Sequence, residues 1–208
     1  MARTDATMTR RALLRRMGSA GLVVPLAACN EAGWYGENVS GLLPDLSFTM
    51  TRAQNGTNVT QADYEGQVVA LFFGFTFCPH ICPMTLSNLS AVVDQLGEDA
   101  AKLSILFVTV DPERDTPEVM TEYAAAFTPC VDGLIGTPNQ LARLARRLKV
   151  TYKIEPHQPD DLTYDVSHGK SVYVFDAQGD ARVIWPGFDT LQADIAGATG
   201  DIRRVMSA

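Results

Sequence analysis

A chain of 208 residues with 46% hydrophobic content is long enough for one well-packed domain. Its formal charge is −7, with 17 basic against 24 acidic side chains. That balance excludes a nucleic-acid binder, which needs a basic footprint, and suits a basic partner surface or positively charged ions.

Residues 1–28 read as an export signal. Thr9-Arg10-Arg11-Ala12-Leu13-Leu14-Arg15-Arg16 is basic, Met17 to Ala28 is mildly apolar and uncharged, and Leu26-Ala27-Ala28-Cys29 forms a small-residue junction. The apolar run is too short to span a bilayer comfortably as a mature helix. The twin arginine resembles a Tat signal, and Gly18, Gly21 and Pro25 weaken the apolar region as in such signals. Leu-Ala-Ala-Cys resembles a bacterial lipobox, which makes Cys29 the lipidated first residue of the mature protein. Acyl chains there anchor it to a bacterial cell membrane on the periplasmic, extracytoplasmic face, each buried methylene adding roughly 0.8 kcal/mol. The signal carries five arginines and one aspartate, so the charge from Cys29 onward is −11. Residues 29–43, rich in Gly, Asn and Glu, read as a membrane-proximal tether, and residues 44–208 as the folded domain.

Within that domain, Leu46 to Thr51 and Asn58 to Thr60 flank Asn55-Gly56, which predicts a hairpin. Gln67 to Phe75 is nearly all apolar, as in a central strand covered on both faces. Leu86, Leu89, Val92, Val93 and Leu96 recur at helical spacing, and Met84, which follows the thiol motif, either offers a soft thioether or, at the same spacing, joins that stripe as a core residue. Leu103 to Val110 is a second buried strand. Thr116-Pro117 and Thr137-Pro138 each open a helix, the second with Gln140 completing a capping box. Thr151 to Ile154 is a short strand, and Glu155 to Gly169 a long polar loop. Ser171 to Phe175 and Ala181 to Trp185 form a hairpin, and Asp189 caps a last helix. The order predicts an α/β, thioredoxin-like sandwich with an N-terminal β-hairpin and a central mixed sheet flanked by helices.

The chemistry concentrates in Phe77-Cys78-Pro79-His80-Ile81-Cys82-Pro83. Two thiols where a strand turns into a helix feel the helix dipole and deprotonate more easily. Such a pair either cycles as a redox-active disulfide or holds a soft metal ion. Two ligands leave an incomplete site, and a neutral imidazole is the natural third. Of the three histidines, His168 stands just ahead of the Ser171 strand, beside the dithiol in this fold. His80 lies between the cysteines and His157 early in the polar loop. Asp111 ends a strand near the dithiol, where it either orients a ligand or caps local backbone. Cys130 has no partner in the sequence and reads as a buried thiol; three thiols beyond Cys29 make no disulfide scaffold.

Taken together, Phe-Cys-Pro-His-Ile-Cys-Pro, Asp111-Pro112-Glu113-Arg114-Asp115-Thr116-Pro117 and a histidine ahead of the hairpin strand resemble the Sco/SenC family of copper chaperones. The resemblance runs from about Leu46 to the last helix. It implies a thioredoxin-like fold, Cu(I) or Cu(II) bound by Cys78, Cys82 and His168, and assembly of the dinuclear copper site of cytochrome c oxidase. A copper-receiving protein, subunit II of that oxidase, is then the expected partner, and a monomer the expected state. Two positions depart from the family: His80 stands where Asp is frequent between the cysteines, and Ser167 replaces the Asp that commonly precedes the histidine. A metallochaperone needs no catalytic turnover. The competing reading is a thiol-disulfide oxidoreductase, with Cys78 attacking and Cys82 resolving, that keeps a target's metal-binding cysteines reduced. Against it stand three residues between the cysteines instead of two, and no proline between Pro159 and Pro186, where such enzymes place a cis-proline. A thiol peroxidase needs an arginine at the attacking thiol, and Arg114 is the candidate.

Overall fold

Val68 to Gly74 is buried along its entire length, which a strand achieves only when both faces of its sheet are covered. It is the centre of the fold in a computed structural model that describes residues 33–158 and 161–208. The export signal and Cys29 lie outside the described residues. In chain order the elements are β1 (Glu37–Asn38), β2 (Thr49–Arg52), β3 (Asn58–Thr60), β4 (Val68–Gly74), α1 (Ile81–Leu96), β5 (Leu103–Thr109), α2 (Pro117–Ala125) and β6 (Val131–Ile135). There follow α3 (Pro138–Arg147), β7 (Tyr152–Ile154), β8 (Val166–His168), β9 (Val172–Phe175), β10 (Ala181–Trp185) and α4 (Ile195–Met206).

Eight strands form one sheet in the order β1-β10-β9-β4-β5-β6-β2-β3. β4, β5 and β6 are parallel, joined by helical crossovers, and β9 runs antiparallel to β4. This is the expected thioredoxin-like sandwich, with the hairpin β2–β3 at one edge. Phe72, Phe73, Phe107, Phe175 and Trp185 fill the core without measurable exposure beyond 1%. Thr116 accepts from the Val119 N–H and Thr137 forms its capping box with Gln140, as their spacing predicts.

Four elements differ from expectation. β6 was not foreseen, because Asp132 and Gly133 interrupt its apolar run; its place between β5 and β2 makes it a strand. The polar loop contains β8, which pairs with β7 through Tyr152↔His168 and Ile154↔Val166 as a separate two-stranded ribbon. The last helix is capped by Asp194, which accepts from the Gly197 N–H. Asp189 instead receives Lys170 at 3.1 Å, and Leu191 beside it is 82% exposed, so no helical stripe begins there. Finally, the segment read as a tether is partly built into the fold. Glu37–Asn38 pairs with β10, and buried Asp201 accepts from the Tyr35 and Gly36 N–H groups and from Trp185 Nε1. Among the described residues no helix is long and apolar enough to cross a membrane.

Candidate metal centre

β4 ends at Gly74 and the chain turns through Phe75 to His80 before α1 begins. Cys78 lies in that turn and Cys82 in the first turn of α1. The helix packs its thiol directly onto the strand: a Cβ at Gly74 would stand 2.6 Å from Cys82 Sγ and 2.7 Å from Phe107 Cε2. Only glycine leaves room there. Cys82 is wholly buried, and Cys78 is 7% exposed.

The imidazole arrives from the other side. β9 lies antiparallel to β4 with Phe72 opposite Val172, so the approach to β9 runs beside the end of β4. His168, at the end of β8, thereby faces the thiol pair. Its Nε2 stands 3.5 Å from Cys82 Sγ, and Phe72 and Phe75 meet its ring edge-on at 5.9 and 5.7 Å. Its Nδ1 is 2.8 Å from the Gly169 carbonyl. A carbonyl only accepts, so Nδ1 carries the proton, and in the neutral ring the Nε2 lone pair faces the sulfurs. The donor atoms of Cys78, Cys82 and His168 all lie within 4.8 Å of one another. Donors about 2.0–2.3 Å from a shared ion sit at comparable separations. Two sulfurs and one imidazole nitrogen make a soft set suited to copper or zinc rather than to calcium or magnesium.

Charge is divided unevenly between the thiols. The Cys82 S–H donates to Cys78 and, with the Cys82 and His80 backbone N–H groups, lowers the Cys78 thiol well below its ordinary value against the opposing effect of burial. Burial, reinforced by the Cys78 thiolate, pushes Cys82 far up. The metal-free pair thus holds one proton between them, as a coupled unit, and a metal ion bound by both sulfurs displaces it.

The segment Asp111–Thr116 ties both halves of this centre together. Asp115 accepts from the Thr76 N–H at 3.1 Å and the Thr76 hydroxyl at 2.6 Å, fixing the turn before Cys78. Arg114 donates to the Leu162 and Tyr164 carbonyls, both at 3.0 Å, fixing the approach to β8. Asp111 receives Arg114 Nε and the Tyr164 hydroxyl. Among the described residues these bonds go to neither a thiol nor His168; they hold Arg114 and Tyr164 in the loop. Nor do the hydrogen bonds of Arg114 reach a thiol, and its guanidinium lies over the Tyr164 ring at 3.8 Å.

The remaining candidates fall elsewhere. His157 pairs with Glu113 at 2.8 Å and stacks on Tyr164 with centroids 3.6 Å apart. Cys130 is half-buried against the core, 4.0 Å from the Ala100 carbonyl. Ser167 alternates with Val166 and His168 along β8 and is exposed on the opposite face. Its departure from the family pattern thus lies away from the imidazole. Arg114 and Asp115 were visible only as parts of a motif. Their signal is a run of charged residues, buried at 8% and 0% exposure, which a sequence does not display.

A family model described as SCO1/SenC matches residues 45–207. The chain belongs to this family. Among its Sco relatives, the mitochondrial protein SCO2 homolog of Bos taurus is 37% identical over 150 residues, covering 71% of this chain and 54% of the relative. The chain thus spans about half the length of that relative. A structure of Bradyrhizobium japonicum ScoI with copper bound is 34% identical with a TM-score of 0.68, covering 77% of this chain and 98% of that one. The solution structures of apo Sco1 from Thermus thermophilus give 30% identity and a TM-score of 0.72 over 83% of this chain and 96% of theirs.

Proposed function

We propose that this Sco-family chain is a membrane-anchored, extracytoplasmic copper metallochaperone that acts as a monomer. Cys78, Cys82 and His168 hold one copper ion as cargo, Cu(I) or Cu(II), and release it to a copper-receiving protein, subunit II of cytochrome c oxidase. Residues 1–28 direct export, and Cys29 carries the lipid. The observation that carries the reading is the convergence of two sulfurs with an imidazole whose Nδ1 is occupied by the Gly169 carbonyl. Copper bound in the related ScoI structure supports it.

The test is a Cu(I) competition titration on the reduced protein. Loss of a partner outside the ligand set costs roughly 10–100-fold in metal affinity, and His168→Ala is expected to cost more than that. Unchanged affinity in His168→Ala removes the proposed site. A second reading rests on the Cys82 S–H that donates to Cys78, which lowers the Cys78 thiol and favours the ionised nucleophile that disulfide exchange requires. Robust reduction of a model disulfide, with no copper retained after dialysis, would establish the oxidoreductase instead.

A further inference from the structure

Two soft donor side chains beside the thiol pair take no part in the three-ligand centre. His80 immediately precedes α1, its imidazole exposed and without a hydrogen bond among the described residues. Met84 follows one helical turn later, its N–H donating to the His80 carbonyl at 3.2 Å. The helical stripe predicts Met84 as core, yet the buried face of α1 is made by Cys82, Thr85, Leu86, Leu89, Val92 and Leu96. Met84 is half-exposed and lines a groove of about 470 Å³ together with His80, Pro79 and Pro83. The same turn belongs to the main centre, since Cys78 stands two residues before His80 and Cys82 two residues after it.

The donor chemistry of this groove is selective. A thioether and a neutral imidazole suit a soft monovalent ion, whereas hard divalent ions need several oxygens. The one carboxylate on the groove, Asp189, is already paired with Lys170. We propose that His80 and Met84 form a second, weaker soft-metal site, at which Cu(I) rests before passing to Cys78. Its role as a relay rests on the copper reading above; its existence as a site does not. In the transfer copper remains Cu(I). The bonds to the Met84 sulfur and the His80 imidazole nitrogen break as bonds to the Cys78 thiolate, the Cys82 sulfur and His168 Nε2 form, and the proton of Cys82 leaves to solvent when its sulfur binds.

The site is tested with Ag(I), a redox-inert probe, on the full chain with all four cysteines replaced by serine. NMR follows the methionine methyl and histidine ring signals. Saturable shifts confined to Met84 and His80, lost in Met84→Leu and in His80→Asp, are expected. Equal shifts of every methionine, or none at Met84, overturn the site. A second arm, independent of whether the serine variant folds, keeps the thiols and measures Cu(I) uptake from a chelator complex by stopped flow. Met84→Leu and His80→Asp are expected to slow uptake several-fold while leaving equilibrium Cu(I) affinity unchanged. An unchanged rate overturns the relay, and so does an affinity loss matching the rate loss, because both side chains would then belong to the main centre. A chain that holds no copper at Cys78, Cys82 and His168 defeats the chaperone reading alone, since the Ag(I) shifts do not depend on it.

Discussion

Gly74 decides how closely helix and strand approach beneath the thiols. With Cys82 Sγ and Phe107 Cε2 inside 3 Å of any added methyl, Gly74→Ala must displace the sulfur or the ring. Overpacking of this kind costs about 1–3 kcal/mol, which lowers the melting temperature by about 2–4 °C per kcal/mol for a domain of this size. Cu(I) affinity is expected to fall with it. Thermal unfolding and the competition titration check both, and an unaltered melting point would mean the sulfur has room. Cys78, Cys82 and His168 could be named from sequence because their chemistry marks them among few alternatives. Gly74 could not, since its requirement is a distance between two elements, and no periodicity encodes that. Met84 misled for the opposite reason: it has the right spacing for the core, but it sits at the rim of the apolar stripe.

The segment Asp111–Thr116 works as a two-handed clamp between β5 and α2. Arg114 and Asp111 form a buried pair, with side-chain exposures of 5% and 0%. Removing one member of such a pair costs about 3–5 kcal/mol, and Arg114→Leu also frees the Leu162 and Tyr164 carbonyls that lead into β8. Chemical denaturation is expected to show that loss, with weakened copper binding in whatever fraction remains folded; full stability in Arg114→Leu contradicts the clamp. The same loop carries a pH-dependent contact. His157 donates from Nδ1 to the Glu155 carbonyl and from Nε2 to Glu113, both at 2.8 Å, which requires the protonated ring. The Glu155 carbonyl first, then Glu113, hold its pKa above the ordinary value, with Asp161 adding to them. The sign follows from a raised folded-state pKa. The contribution is fully present below the unfolded histidine value of about 6.5 and is lost as pH rises through the folded-state value. An NMR titration of His157 should give a midpoint above the ordinary one, lowered in Glu113→Gln; an ordinary midpoint in the unaltered chain refutes the contact. β8 itself escaped the sequence because Val166-Ser167-His168 is too short and too polar to alternate visibly. Only its pairing with β7 makes it a strand.

At the scale of the molecule, the order of strands and helices was legible because β4, β5 and β9 are mostly apolar runs and two helices carry Thr-Pro caps. The edges were not. β1 is two residues long; it pairs with β10, and the chain just before it is held by Asp201 in α4. Asp201→Ala strands the Tyr35, Gly36 and Trp185 donors, at about 1–3 kcal/mol for a buried group left unpaired. Hydrogen exchange at Glu37 and Asn38 is expected to accelerate while copper affinity stays unchanged; retained protection there would show that Asp201 does not hold the edge. The ladder between β4 and β9 has a consequence for the order in which the protein matures. Cys82 and His168 are 86 residues apart, and it is pairing across that span that brings them together. During synthesis both thiols emerge long before the imidazole, and closing so long a loop is among the slower events of folding. The donor set is therefore complete only once the central sheet has formed, and three-ligand copper binding reports a finished fold rather than an early intermediate.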